Sequence, residues 1–448
     1  MVAWAICFSR EIYSFAAQIN RKNVDYVFNN TDILRMKSRH ISIRLQEFSE
    51  RRLIILTGAR QVGKTTLAKS CFPDLRYINL DAMEYRDMVR NISSFDWSKD
   101  LGPAVLDEAQ KEPSVFDKVK FAYDEGQLDS TVLLGSSQFM LMKKVRESLA
   151  GRAFILELWP LMVSEILADA PTPAEKPLLS AVLKNGVEAA LQHVAAVKAG
   201  PNVSQARKTE DYLLRWGGMP ELLRLNDDQR REWLRSYEMT YLERDLTDLV
   251  RLDDLEPFRK FQQVAAHRSA CLLNYSDLAR DAGVSVDTSR RYLEYLRRSY
   301  QTILLQPWHT NQTISLVKSP KLYWIDMGLL RQTGRIGEAV TGELYENYVV
   351  SETWKWCKSD TPTTNLYFYR TRHGLEVDLL AERDQRIVGF EIKNRATVTN
   401  ADASGLRKLA VNLGEKWSGG MVVYAGDKIQ RLEKDLWAVP SWRLFSGL

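Results

Sequence analysis

Hydrophobic and polar positions divide this chain into stretches of different period. Leu53 to Leu56 form a short unbroken apolar run, as do the apolar cores of "PAVLDEAQ", "STVLLGSSQF" and "FILELW". Such runs predict strands of a parallel sheet buried on both faces. Ahead of them "MKSRHISIRLQEF", opened by Met36, predicts an amphipathic helix leading into the first strand. From 166 to about 255 the period is helical, in "PAEKPLLSAVLKNGVEAALQHVAAVKAG" and "RREWLRSYEMTYLERDLTDLVRL". "NYSDLARDAGVSVDTSRRYLEYLRRS" predicts two helices. Asn274 to Ser276 offers an N-cap, the first helix covers Asp277 to Asp281, and Gly283 turns the chain. Ser285 starts the second helix, with Tyr292, Leu293 and Leu296 on its apolar face. "TILLQPW" and "KLYWID" predict the strands of a wing, and "LEVDLLAERDQRIVGFEIK" two strands joined by a tight turn at Asp384-Gln385. Helical "GELYENYVV" precedes that hairpin and helical "GLRKLAVNLG" follows it. Residues 1–35 show no clear period; they read as a disordered extension or as sequence upstream of the true start.

A length of 448 residues implies about two to four domains. Lys and Arg number 62 against 57 Asp and Glu, a net charge of +5 that permits nucleic acid without arguing for it. Cys7, Cys71, Cys271 and Cys357 show no CxxC spacing, which argues against a disulfide framework or a zinc site and fits a reducing cytoplasm. No apolar run approaches the roughly 18 residues of a membrane helix. "MVAWAICF" is ended by Arg10 and Glu11 with no cleavage site after it, unlike a signal peptide.

Candidate chemistry begins at Gly58-Ala-Arg-Gln-Val-Gly63-Lys64-Thr65, which matches GxxxxGK[ST] between a strand and a helix-forming run closed by Pro73. Its glycines free main-chain N–H groups to wrap the phosphates of ATP, and the helix N-terminus adds a favourable dipole. Lys64 is expected at the β- and γ-phosphates and the Thr65 hydroxyl on Mg²⁺, with Arg60, Gln61 and Thr66 completing the nucleotide contacts. Asp107 and Glu108 end the apolar run of "PAVLDEAQ". There Asp107 would stand near the magnesium and Glu108 would polarise the attacking water. Ser136, at the end of another strand, is either a γ-phosphate sensor or a turn residue. Arg152 is either a neutraliser of phosphate charge, in its own or a neighbouring subunit of a homo-oligomer, or a surface arginine.

Two further constellations concern nucleic acid. Arg290, Arg291, Arg297 and Arg298 lie on the second helix of the helix-turn-helix, suited to phosphate contacts; packing on other domains or partners is the alternative. In the hairpin, a turn centred on Asp384-Gln385 sets Asp378 opposite Glu391 and Glu376 opposite Lys393, with Val377, Leu379, Phe390 and Ile392 on the reverse, core face. Facing carboxylates about 5 Å apart repel unless a cation such as Mg²⁺ or Mn²⁺ lies between them.

"TGARQVGKTTLAK", "LDEAQ", "LLGSS", "LAGR", "LWPLMVSEI", "GGMPELL" and "YLERDL", in that order, resemble a bacterial and archaeal group of AAA-type ATPases whose C-terminal half has a nuclease-like fold. Aspartate, hairpin and Glu-x-Lys resemble the PD-(D/E)XK nucleases, with "EVD" in place of the opening Pro-Asp. The resemblance implies a RecA-like/AAA P-loop domain at 36–165, a helical lid at 166–255, a winged helix at 256–335 and a restriction-endonuclease-like α/β domain at 336–448. It implies Glu346 as a helical acid beside Asp378 and Glu391, either a further metal ligand or a supporting group, and Lys393 as the group that orients water or steadies the phosphorane. Glu243, Arg244 and Asp245 match the family's "ERD" without a mechanism attached; ion pairs in a helical core are the default. The expected protein is a cytoplasmic ATPase acting on DNA. The alternative is a regulatory or scaffolding ATPase whose last domain binds DNA or protein without cleaving.

Overall fold

The computed structural model describes residues 36–47, 52–128, 130–135, 144–145, 147–249, 255–309, 319–361, 363–371 and 374–447. The N-terminal extension and Ser136 lie outside them, as do the side chains of Glu243, Arg244 and Asp245.

Strands β1 (Arg52–Thr57), β2 (Arg76–Asn79), β3 (Ala104–Asp107), β4 (Ser130–Gly135) and β5 (Ala153–Glu157) form an all-parallel sheet in the order β2-β3-β4-β1-β5. Successive side chains point to opposite faces, so an apolar run with no polar gaps requires cover on both. Leu53, Ile55, Leu106 and Leu133 enter one core with Trp97 and Phe116. Ile54, Leu56, Val132 and Leu134 enter another, which also takes Ile41 and Leu45 of α1 (Ile41–Glu47). Helix α2 (Lys64–Cys71) leaves the β1 loop, and α3 (Ser114–Asp124) covers the first core.

The segment expected as a lid is divided between two tasks. Helices α4 (Leu178–Asn185) and α5 (Val187–Leu191) pack on the C-terminal sheet, away from the nucleotide loop. Glu188 of α5 accepts from the Trp437 indole at 2.9 Å and pairs with Arg431 at 2.9 Å. An amphipathic stripe states that one face is buried, not what buries it, and this corrects the lid reading for residues 178–191. After α6 (Pro201–Trp216), the long α7 (Asp227–Leu249) does approach the loop, the Tyr237 hydroxyl lying 3.5 Å from the Arg60 carbonyl.

The helix-turn-helix forms as its caps predict. Asn274 accepts from the amides of Ser276 and Asp277 ahead of α8 (Tyr275–Ala282), Gly283 adopts φ +73°, and Ser285 caps α9 (Val286–Arg298). Strand β6 (Cys271–Leu272) precedes these helices, and the antiparallel pair β7 (Thr302–Pro307) and β8 (Lys321–Trp324) comes after them, β6 pairing with β8. That pair does not end there. β7 also runs parallel to β9 (Asn365–Arg370), so the hairpin joins a nine-stranded sheet, β13-β14-β12-β11-β10-β9-β7-β8-β6. Its other members are β10 (Glu376–Arg383), β11 (Arg386–Lys393), β12 (Trp417–Tyr424), β13 (Gln430–Glu433) and β14 (Leu436–Pro440). The boundary expected at 335 and 336 therefore cuts a continuous sheet. Helix α10 (Gly342–Ser359) covers one face and α11 (Ser404–Leu413) the other.

The second core of the parallel sheet runs without a break into the α10 side of the large sheet, taking in Trp159, Tyr300, Trp324, Tyr345, Trp356 and Phe390. Its joint is the stretch "LWPLMVSEI". Gly58 abuts Leu158, whose carbonyl oxygen would lie 2.2 Å from an added Cβ. The Gly218 carbonyl accepts from the Leu161 amide, and the Gly218 amide donates to the Asp326 carboxylate. The approach is so close that an added Cβ would meet the Leu161 oxygen at 2.2 Å. Glu352 of α10 accepts from the Val163 amide at 3.0 Å, and Lys355 donates to the Leu161 carbonyl at 3.3 Å. From the other side His40 donates its amide to Glu165 at 2.9 Å, and Arg39 donates to the Trp159 carbonyl.

Candidate functional site

The loop after β1 owes its shape to three positive φ angles, at Gly58 (147°), Gln61 (63°) and Gly63 (94°). A run of this kind turns successive N–H groups inward, toward the N-terminus of α2. Among the described residues, no atom lies within 4 Å of the position a Gly63 Cβ would take. The buried Lys64 ammonium folds back to donate to the carbonyls of Gly58 (2.9 Å) and Ala59 (2.8 Å). The Thr65 hydroxyl donates to Asp107 Oδ2 at 2.5 Å, bringing a helix start and a strand end from distant sequence into contact. Tyr77 donates to the same oxygen at 2.8 Å. Burial, and then the Asp107 charge, raises the Tyr77 pKa, so it stays a donor. Glu108 adopts φ 51°, unusual for a non-glycine residue, and its carboxylate accepts from Gln110 at 2.5 Å. Tyr77 belongs to no motif; its one signal in the sequence is the β-pattern of "RYIN", which sets β2 beside β3.

Of the readings open for Arg152, contact with phosphate at its own loop does not fit the register. The register pairs Leu53 with Ala153 and Thr57 with Glu157, so Arg152 sits at the edge of the sheet opposite the loop, about 16 Å away at the rise of a strand. There its guanidinium makes a two-pronged pair with Asp124 of α3, at 2.6 and 3.0 Å. It cannot meet phosphate at its own loop.

The second cluster stands at one end of the β10–β11 hairpin. Asp384 and Gln385 both take positive φ, 49° and 65°, as a two-residue hairpin turn requires. Leu379 pairs with Phe390 and Arg383 with Arg386, the register expected from that turn. The expected face pattern holds only in part. A bulge against β9 between Val377 and Leu380 sends Val377 to the α11 core, while Leu379, Phe390 and Ile392 face the α10 core. Asp378, inside the bulge, accepts from the Ile392 amide at 2.8 Å. Glu391 Oε1 takes Lys393 at 2.6 Å, and its Oε2 is buried with no hydrogen-bond partner among the described residues. Glu376 does not pair with Lys393; it takes Lys321 of β8 at 2.7 Å. Glu346, on α10, accepts from Lys321 at 3.1 Å and from the Tyr323 hydroxyl at 2.6 Å. Burial first, then the Asp378 charge, pushes the carboxyls of Glu346 and Glu391 up to about 7, and burial raises Asp378 as well. Among the described residues no three His, Cys, Asp or Glu side chains already stand as a metal cage. Lys321 and Tyr323 escape a reading of the sequence because "KLYWID" reads only as a strand.

On α9, Arg297 and Arg298 both bind Glu294, at 2.7 and 2.5 Å. Arg290 lies 3.7 Å from Asp287 and over the Tyr275 ring, and Arg291 donates to Thr288 at 3.2 Å. Both are exposed. None of the helices in the described residues is long and apolar enough to cross a membrane.

The parallel sheet, the glycine loop and the Thr65–Asp107 contact define a P-loop domain, and residues 50–167 match the AAA domain family. This part of the chain is similar to AAA domains. Residues 206–339 and 341–444 match two domains of unknown function, DUF8612 and DUF4143. An uncharacterized protein of Mycobacterium tuberculosis is 28% identical over 398 residues, covering 87% of this chain and 80% of its own. An uncharacterized protein of Methanocaldococcus jannaschii is 23% identical over 395 residues, covering 83% and 81%. Among solved structures, the Walker-type ATPase PABY2304 of Pyrococcus abyssi aligns at 16% identity and a TM-score of 0.43, covering 69% of this chain and 99% of that one.

Proposed function

We propose that this chain is a cytoplasmic, ATP-hydrolysing protein that acts on DNA, with a C-terminal restriction-endonuclease-like unit that uses a divalent metal. The carrying observation for the nucleotide half is the Thr65–Asp107 contact at 2.5 Å beside an open loop that holds a buried lysine. In this reading Lys64 exchanges the Gly58 and Ala59 carbonyls for the β- and γ-phosphates. Thr65 and Asp107 hold Mg²⁺, and Glu108 orients the attacking water. Arg152 then serves the nucleotide of a neighbouring subunit in a homo-oligomer.

For the DNA half, the support is Asp378, Glu391 and Lys393 at one hairpin end, with Glu346 near enough to feel the Asp378 charge. The buried, unpartnered Glu391 Oε2 fits a cation, because such an atom otherwise bears an uncompensated desolvation cost. Mg²⁺ or Mn²⁺ bound there supplies Lewis acidity and a water of lowered pKa. Asp378 and Glu391 would hold it with Glu346 in support, Lys393 would steady charge on the phosphate, and Arg290 and Arg291 would contact the DNA backbone. The test is nicking of supercoiled plasmid with Mn²⁺ or Mg²⁺, with and without ATP, for the wild type and Asp378→Ala. Nicking that survives Asp378→Ala, or is absent with every divalent cation tried, removes the nuclease reading.

One observation favours a second reading. Lys321, Tyr323, Lys393 and the Ile392 amide already engage every acid of the cluster. An ion-pair network of that kind suits a regulatory or scaffolding ATPase whose last domain binds without cleaving.

A further inference from the structure

Lys321 is the feature of the acidic cluster that neither the motif nor the fold accounts for. It opens β8, at the far side of the sheet from the hairpin in sequence, and its side chain is only 5% exposed. Its ammonium lies 3.1 Å from Glu346 Oε1 and 2.7 Å from Glu376 Oε1, and the Asp378 charge acts on it as well. Tyr323 donates to the same Glu346 oxygen at 2.6 Å, and the Lys321 ammonium lies 5.7 Å from the centre of the Phe368 ring. Glu376 has a second, outer partner in Arg370 at 3.6 Å. Lys393, by contrast, touches Glu391. The two lysines thus divide the acids, Lys321 taking Glu346 and Glu376 and Lys393 taking Glu391.

We propose that Lys321 is a resident counter-cation of this centre, competing with the divalent metal for the carboxylates. This rests on the metal reading above. A fixed ammonium and a divalent ion cannot both approach one carboxylate oxygen without strong mutual repulsion, and in a buried site that repulsion is weakly screened. A metal held by Asp378 and Glu391 that also draws in Glu346 as a ligand therefore requires Lys321 to give up that carboxylate. The consequence is a site of modest affinity that stays neutralised, and folded, without metal.

The test is Mn²⁺ titration of the full chain without nucleotide, by calorimetry, at fixed pH. Lys321→Met keeps the aliphatic stem and removes the charge. Lys321→Met/Glu376→Gln removes the charge together with its nearest acid, so that Glu376 is not stranded and Glu346 keeps the Tyr323 hydroxyl. Both should bind Mn²⁺ about tenfold more tightly than the wild type or better, a change of about 1.4 kcal/mol. Adding Asp378→Ala should erase the gain. In the wild type, saturating Mn²⁺ should raise the labelling of Lys321 by an amine reagent severalfold, read by mass spectrometry, a result that needs no variant to fold. Unchanged or weaker Mn²⁺ affinity in the folded variants, or unchanged labelling, overturns the role of Lys321. If wild-type binding is nevertheless lost in Asp378→Ala, the metal reading stands alone. No Mn²⁺ binding in any of the proteins overturns both.

Discussion

The loop from Gly58 to Thr65 and the acidic cluster at the end of the β10–β11 hairpin differ in how much of each is main chain. The loop is one continuous stretch whose donors are backbone N–H groups, shaped by φ angles that its own residues set. The cluster gathers side chains from β8, α10, β10 and β11, and its electrostatics depend on which charges the sheet order brings together. A local motif can specify the first almost completely. For the second it supplies the acids but not the company they keep, and the company decides between a metal centre and an ion-pair network.

The sharpest test of the contrast is to disable each centre and ask whether the other notices. Lys64→Ala should lower ATP hydrolysis by about a hundredfold or more, since it removes a charge aimed at the transferring phosphate. Glu108→Gln should retain nucleotide binding and lose turnover by about a hundredfold. Mn²⁺ binding at the cluster should be unchanged in both. Wild-type hydrolysis in Lys64→Ala would show that the loop is not the nucleotide site. Conversely, Asp378→Ala or Glu391→Ala should abolish Mn²⁺ binding in calorimetry while ATP hydrolysis stays within about twofold. A parallel collapse of ATP hydrolysis in a folded variant would mean that the two centres are one unit.

A third buried carboxyl separates burial from clustering. Burial first, aided by the charges of Asp211 and Glu352, pushes Glu210 of α6 up to about 7. A carboxyl raised in the folded chain favours folding while protonated. Its contribution is complete below the unfolded value near 4.5 and is lost as pH rises toward 7. Glu210→Gln should therefore flatten the fall in unfolding free energy between pH 5 and 7.5, by about 3 kcal/mol at most. An unaltered pH profile in chemical denaturation would show that Glu210 titrates normally. The smallest effect belongs to α9. Charge reversal of Arg290 and Arg291 should lower the log–log salt slope of DNA binding by roughly 0.9 for each phosphate that goes unneutralised. Reversal of Arg297 and Arg298 should leave it unchanged, because Glu294 already holds both. Equal effects from the two pairs would return all four to the DNA face.

Legibility in the sequence follows the same division. The strands of the parallel sheet, the caps at Asn274 and Ser285 and the hairpin turn are readable because each is encoded within a few neighbouring residues. The packing of residues 178–191 on the far sheet is not, since amphipathicity names no partner. The side that Val377 takes is set by a bulge, which shifts the alternation of a strand without a local signature. The readings of Arg152 stay open in the sequence because position along a strand, not proximity to a motif, decides which end of a sheet a residue occupies. Lys321 and Tyr323 are invisible because they reach Glu346 through a strand order that no stretch of sequence states.

The pairing of β7 with β9 bears on how such a chain can be inherited. A fragment that began at residue 336 would carry Glu346, Glu376, Asp378 and Glu391 but leave Lys321 and Tyr323 behind. It would also uncover the edge of β9 at Tyr367 and Phe368, an invitation to intermolecular strand pairing. Recombination at that point would deliver half a sheet and an unbalanced set of charges. A cut upstream of β7 would keep β7, β8, Lys321, Tyr323 and the acids in one piece. The charge balance of the cluster thus depends on strands that lie outside the hairpin that marks it.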